Sequence, residues 1–179
     1  MKRYQNWAKR EHSSAQWVIT LVLAGLLIVG LIPFLVAKAS LALDRQFGLP
    51  DFYAGPVNIL AGLLLAAAGL GLGLWSVLAE ITIGEGTPVP LVPTKKLVVQ
   101  PPFTYCRNPM TLGTIIAYLG LCVGIGSFSA LVIVLLLASL LLLYIKRIEE
   151  KELAVRFGAA YMDYKRTTPF ILPRIHRAK

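Results

Sequence analysis

The sequence predicts an all-α integral membrane protein with about four transmembrane helices, a cytosolic C-terminal helix and a tail. Hydrophobic residues make up 56% of the 179 residues and charged residues only 15%, whereas soluble domains are typically about 45–50% apolar. The apolar residues lie in long uncharged blocks, and the Lys and Arg residues flank those blocks. This pattern is typical of helices that cross a bilayer.

The first two spans are predicted from uncharged runs of 21 residues, Trp17–Ala37, and 22 residues, Val57–Leu78. At about 1.5 Å per residue, either run can cross a hydrocarbon core of roughly 30 Å. The first run exceeds the apolar core of a signal peptide, so we expect it to be retained. Pro33 should kink it. The charged segment Lys38–Ala54 reads as a loop.

The third and fourth spans are predicted as a helical hairpin. Asn108–Ile145 contains no charge over 38 residues, and as one helix it would measure about 57 Å, far more than a bilayer. The glycines of Gly124–Ser127 favour a turn there, which places a hairpin at Thr111–Ile145. Beyond it, Lys146–Arg166 has helical periodicity and should end near Pro169.

The distribution of Lys and Arg predicts the topology. Met1–Gln16 holds four of the 18, Glu80–Asn108 three, and the chain from Lys146 onward nine, whereas Lys38–Ala54 holds two. Four spans place the three richer groups on one side, and the positive-inside rule makes that side cytosolic. A fifth span is possible if Leu91–Phe103 enters the membrane. We expect one membrane domain, with N-terminal spans in residues 1–80 and a catalytic module in 81–179.

Several other classes of site are not favoured. The net charge of +9 accompanies no nucleic-acid recognition module. The two histidines lie in basic tails, so no metal site is expected. Gly69 and Gly73, four residues apart, favour close helix packing over dinucleotide binding. Cys106 adjoins Arg107, which could lower its pKa, although an ordinary thiol is the simpler interpretation.

Polar residues cluster in two segments, Gln100–Gly113 and Glu149–Arg174. Each adjoins one end of the predicted hairpin, and a hairpin returns its two ends to neighbouring positions. We therefore expect four residues to lie close together on the cytosolic side: Arg107, Asn108, Glu149 and Glu150.

These segments resemble motifs of a family of membrane methyltransferases. Residues 102–113 read PFTYCRNPMTLG and resemble its Arg-(His/Asn)-Pro-x-Tyr-x-Gly motif, with Thr111 in place of the tyrosine. Residues 149–158 match its Glu-Glu-x-x-Leu-x-x-x-Phe-Gly, and Tyr161 and Tyr164 match its Tyr-x-x-Tyr. The resemblance covers about residues 101–174 and is to the isoprenylcysteine carboxyl methyltransferases and phospholipid methyltransferases. The tail, with Phe170 after Pro169, is closer to the prenylcysteine branch.

The resemblance implies an S-adenosylmethionine-dependent enzyme. Its catalytic residues would be Arg107, holding the acceptor, and Glu150. The cofactor's cation favours carboxylates and aromatic faces. The implied cofactor-binding residues are Tyr105, Asn108, Pro109, Met110, Leu112, Gly113, Glu149, Tyr161 and Tyr164.

The acceptor implied is lipophilic and reaches the site from the bilayer. A carboxylate of a prenylated cysteine is the first expectation, and a phospholipid amine is the alternative. The protein would lie in a plasma (inner) membrane or the endoplasmic reticulum, with its site facing the cytosol. A membrane scaffold or transporter subunit is the rival from another class, although the spans lack the ionisable residues of transporters.

Simpler interpretations of the same residues stay open at this point. Arg107 could be a topology anchor at a helix start. Glu149 and Glu150 could lie on a solvated helix face and pair with neighbouring lysines. Tyr161 and Tyr164 could be aromatic residues of the membrane interface.

Overall fold

The computed structural model describes residues 13–52, 55–88 and 93–173, and every regular element within these ranges is helical. The α-helices are α1 (Ser14–Gly25), α2 (Ile32–Phe47), α3 (Pro56–Thr82), α4 (Pro109–Ile125), α5 (Phe128–Tyr144), α6 (Glu150–Phe157) and α7 (Ala159–Thr167). Two π-helical turns, Leu26–Leu31 and Ile145–Glu149, join α1 to α2 and α5 to α6. The predicted all-α class is confirmed.

Three helical stretches are long and apolar enough to cross a membrane, namely Ala15–Phe47, Pro56–Thr82 and Phe128–Phe157. The other apolar helix, α4, has 17 residues, or about 26 Å at 1.5 Å per residue. The predicted spans therefore correspond to three long helices and one shorter one, and the count of four stays a prediction. A fifth span was predicted as possible at Leu91–Phe103. No helix occurs in residues 83–88 or 93–108 of the described chain, and residues 91 and 92 lie outside the described ranges.

The predicted loop at Lys38–Ala54 is wrong over its first ten residues, because α2 continues to Phe47. Lys38 and the charged residues that follow it do not break a helix, and only Gly48, with φ of 59°, ends it. Residues 53 and 54 of that segment lie outside the described ranges. Lys38, Asp44 and Arg45 therefore belong to the last part of a long helix.

Pro33 follows a π-helical turn, Leu26–Leu31, within one continuous helical stretch. Proline has no N–H to donate, and its ring displaces the carbonyl four residues earlier, at Val29. A wider π turn at that place accommodates both effects without ending the helix.

The described residues form two compact units. The polar unit comprises the described parts of Met1–Leu23, Leu72–Leu112 and Tyr144–Lys179. The hairpin unit comprises those of Ala24–Gly71 and Gly113–Leu143. Each has its own core: in the polar unit Ala79, Val98, Phe103, Tyr161 and Tyr164, and in the hairpin unit Val36, Cys122, Ala130 and Val134.

Glycines allow α3 and α4 to pack backbone to backbone in the hairpin unit. A Cβ atom on Gly69 would lie 2.4 Å from the backbone nitrogen of Ala117, and one on Gly62 would lie 2.6 Å from the carbonyl oxygen of Gly120. The predicted packing role of Gly69 is confirmed. That of Gly73 is wrong, because nothing lies within 4 Å of its Cβ position; the contact repeats every seven residues rather than every four.

The hairpin turn falls where it was predicted, at Gly126 and Ser127. Gly126 has φ of 66°, and the hydroxyl of Ser127 accepts a hydrogen bond from the backbone N–H of Ala130 at 3.0 Å. Asp44 of α2 also contacts this helix start. Its carboxylate accepts hydrogen bonds from the Ser127 hydroxyl and from the backbone N–H of Ser129, the latter at 3.1 Å. A carboxylate at a helix N-terminus is favourable because it satisfies free N–H groups.

We expect Asp44→Ala to lower the free energy of unfolding by about 1–2 kcal/mol, because the start of α5 loses two hydrogen bonds to a charged acceptor. Thermal unfolding of the purified protein in detergent would measure this. Asp51→Ala, at an exposed aspartate, is the control and should change stability little. Equal stability of both variants would contradict a capping role for Asp44.

Candidate active site

The polar unit brings together two segments that lie far apart in the sequence. Arg107 lies two residues before the start of α4, and Glu150 is the first residue of α6, 43 positions after Arg107. The π-helical turn Ile145–Glu149 stands immediately before Glu150. Such turns shift the register of side chains along a helix and are frequent at functional sites.

Arg107 and Glu150 form a buried ion pair. Arg107 Nη1 lies 2.5 Å from Glu150 Oε1, and the side chains are only 11% and 6% exposed. The contact is ionic, without the alignment of a hydrogen bond. Lys165 Nζ of α7 donates to Glu150 Oε2 at 2.7 Å. The predicted proximity of Arg107 and Glu150 is confirmed, and a solvated face is the wrong interpretation for Glu150.

The segment after α7 folds back over this ion pair. The backbone N–H of Arg107 donates to the carbonyl of Pro169 at 2.9 Å, and Asn108 Nδ2 donates to the carbonyl of Phe170 at 2.8 Å. The Arg107 guanidinium also lies over the Phe170 ring, 5.6 Å from its centroid. The tail thus holds Arg107 by two contacts and Asn108 by one, and none of the three was predicted from the sequence.

Tyr161 and Tyr164 of α7 are buried beside the pair, so the interpretation as interfacial aromatics is wrong. The Tyr164 hydroxyl donates to the carbonyl of Phe103 at 2.7 Å. Burial, and secondarily the charge of Glu150, raise the pKa of Tyr161 to about 12. Burial likewise raises the pKa of Tyr164. Both side chains are therefore neutral phenols at physiological pH.

The other predicted cofactor-binding residues are more dispersed. Tyr105 is 45% exposed, and its ring lies 6.3 Å from that of Trp75. Pro109 is fully buried at the start of α4, and Met110 and Leu112 are half-buried in its first turn. Gly113 belongs to the hairpin unit, where its carbonyl faces Gly69 at the α3–α4 contact.

Cys106 is an ordinary buried thiol. It is 1% exposed, and burial raises its pKa despite a hydrogen bond from the backbone of Asn108. The lowered pKa that the neighbouring Arg107 suggested is therefore wrong, because the effect of burial is larger.

Glu80, near the end of α3, had no predicted role, yet it belongs to a group of charges in the polar unit. The carboxylate of Glu149 and the guanidinium of Arg156 both act electrostatically on it. Arg156 in turn pairs with Glu152 at 3.2 Å. A sequence signal did exist, because Glu80 is the acidic residue in an otherwise uncharged span, and such residues are often functional.

Comparison with known proteins identifies a matching family. A family model described as phospholipid methyltransferase matches residues 57–160. The matched range includes Arg107, Asn108, Glu149 and Glu150 and ends just before Tyr161. No significant match was found among curated proteins or among solved structures.

Proposed function

Because the chain belongs to the phospholipid methyltransferase family, whose activity is methyl transfer, we propose that it transfers a methyl group from S-adenosylmethionine to a lipophilic acceptor in the membrane. The observation that supports this most is the Arg107–Glu150 ion pair. It joins the two segments that resemble the methyltransferase motifs, and the tail closes over it. A scaffold would not need an arginine and a glutamate from two distant segments buried as a pair.

The residues present fit the cofactor's chemistry. S-adenosylmethionine supplies an electrophilic methyl group on a positively charged sulfur. Half-buried Glu149 provides a carboxylate for that cation, and Tyr161 and Tyr164 provide neutral aromatic walls. The further candidates come from the first motif, namely Tyr105, Asn108, Pro109, Met110, Leu112 and Gly113.

We infer that the acceptor is a phospholipid amine in preference to a prenylcysteine carboxylate. Holding a carboxylate acceptor would require a free guanidinium, but Glu150 already neutralises Arg107. Nε of Arg107 is buried and has no hydrogen-bond partner among the described residues. That N–H could donate one hydrogen bond to an oxygen of the lipid while the Glu150 pair persists, and this contact needs no free positive charge. The description of the matching family agrees with this acceptor.

We propose that the site faces the cytosol, which supplies the cofactor. The support is the excess of Lys and Arg in Glu80–Asn108 and from Lys146 onward. Labelling of single cysteines from outside the membrane should reach position 51 but not position 163. Labelling at position 163 would contradict this orientation.

The role of Arg107 is tested by Arg107→Lys. Lysine keeps the charge and the topology signal but lacks the planar fork and the Nε donor. We expect turnover to fall roughly tenfold or more, corresponding to about 1.4 kcal/mol of transition-state stabilisation. The affinity for S-adenosylhomocysteine, measured by calorimetry on the same protein, should change less. A fully active lysine variant would leave Arg107 as a topology anchor.

A further inference from the structure

The charges around Glu80 do not balance. The group contains three carboxylates, Glu80, Glu149 and Glu152, and one guanidinium, Arg156, which are linked through their mutual electrostatic effects. Glu152 is directly paired with Arg156. Glu80 and Glu149 have no comparable ion pair in the part of the chain that the structure describes. A ligand that carries a positive charge could pair with either of them.

Two buried atoms of this group are also unpartnered. Oε2 of Glu80 and Nε of Arg156 are sealed from solvent and have no hydrogen-bond partner among residues 13–52, 55–88 and 93–173. The remaining Arg156 nitrogens are occupied, Nη1 by Glu152 at 3.2 Å and Nη2 by Thr94 at 3.3 Å. A buried polar atom without a partner is unfavourable, because the hydrogen bonds that it made to water are not replaced. Both atoms are therefore available to a ligand.

The unpartnered atoms indicate the chemistry of that ligand. A carboxylate oxygen requires a donor, which a primary ammonium supplies and a sulfonium does not. A guanidinium N–H requires an acceptor, preferably an anionic oxygen. Within the described residues no set of His, Cys, Asp and Glu side chains is arranged to hold a metal ion, so an organic cation fits better.

We propose that Glu80 and Arg156 form a binding site for a zwitterion, with Glu80 accepting from a primary ammonium and Arg156 Nε donating to the adjacent anionic oxygen. The proposal rests on the proposed function, which supplies two such groups. One is the amino-acid end of S-adenosylmethionine, which carries an ammonium and a carboxylate. The other is the ethanolamine headgroup of a phospholipid, which carries an ammonium and a phosphate.

The test is a set of titrations on the full-length protein in detergent. The first pair of ligands is S-adenosylhomocysteine and its analogue without the α-amine. The second pair is dihexanoyl phosphatidylethanolamine and dihexanoyl phosphatidylglycerol, which lacks an ammonium. The variant is Glu80→Gln, which keeps the shape of the side chain and removes its charge. Glu85→Gln, at an exposed carboxylate paired with Lys96, is the matched control and should bind like the wild type.

Two results would support the site, and they identify its ligand. If the amine of the cofactor binds there, removing it weakens wild-type binding roughly tenfold or more, whereas Glu80→Gln binds both nucleosides equally weakly. If the lipid headgroup binds there, Glu80→Gln keeps its affinity for S-adenosylhomocysteine and loses the preference for phosphatidylethanolamine. The two ligand comparisons on the wild-type protein can still contradict the proposal if Glu80→Gln folds poorly, because they do not use the variant.

Two results would overturn the proposal. One is a wild-type protein that does not distinguish the members of either ligand pair. The other is a folded Glu80→Gln protein with wild-type affinity and preference for all four ligands. If the wild type binds no S-adenosylhomocysteine, the proposed function fails, and the lipid pair alone decides whether Glu80 binds an ammonium.

Discussion

Replacing Glu150 by alanine should abolish methyl transfer and lower the free energy of unfolding by roughly 3–5 kcal/mol, the cost of breaking a buried ion pair from one side. The carboxylate is 6% exposed and contacts both Arg107 and Lys165. Without it, the mostly buried guanidinium of Arg107 has no counter-ion among the residues that the structure describes. Thermal unfolding and turnover, measured on the same purified protein, would show both losses.

Asp163→Ala is the matched control for this prediction. Asp163 belongs to the neighbouring helix α7 and pairs with Arg166 at 3.6 Å, but both side chains are highly exposed. Exposed pairs contribute about 0–1 kcal/mol, so the control should remain stable and active. If Glu150→Ala were as stable as Asp163→Ala, the buried pair would not organise the site.

Replacing Gly69 by alanine should destabilise the protein by about 2–3 kcal/mol or more, because the new methyl group would overlap backbone atoms of α4. The Cβ position lies 2.4 Å from both the nitrogen of Ala117 and the carbonyl oxygen of Gly113, and backbone atoms cannot swing aside. Thermal unfolding in detergent is the measurement.

Gly73→Ala is a control on the same helix with the opposite expected sign. Its Cβ would meet nothing within 4 Å, and alanine is favoured over glycine inside a helix by about 0.5–1 kcal/mol. The control should be unchanged or slightly more stable. Destabilisation of both variants by the same amount would show that the α3–α4 contact is not backbone to backbone.

Much of the fold could be predicted because it depends on local signals. Long uncharged runs located the helices, and Gly126 with Ser127 marked the hairpin turn. The hairpin in turn predicted that Arg107 would lie near Glu150, which the 2.5 Å contact confirms. The loop predicted to start at Lys38 was wrong, because a charged residue indicates where a span leaves the membrane interior but does not end a helix.

The missing parts of the site depend on contacts between distant residues. The charge group around Glu80 joins the end of α3 to α6, some 70 positions away in the sequence. The contact of Asn108 with Phe170 spans 62 positions. The residues of the π turn before Glu150 do not form a pattern that predicts a π turn. Contacts between residues at such separations cannot be predicted from one sequence, because their spacing follows neither a helical nor a strand period.

Transfer of labelled methyl from S-adenosylmethionine is the most direct test of the proposed function. The purified full-length protein would be placed in nanodiscs that contain phosphatidylethanolamine, with a farnesylated cysteine as the competing acceptor. We predict label on the lipid headgroup as an N-methyl group that resists mild base, and none in the Glu150→Ala protein. Base-labile label on the prenylated cysteine would contradict the amine acceptor, and the absence of label on any acceptor would contradict methyl transfer itself.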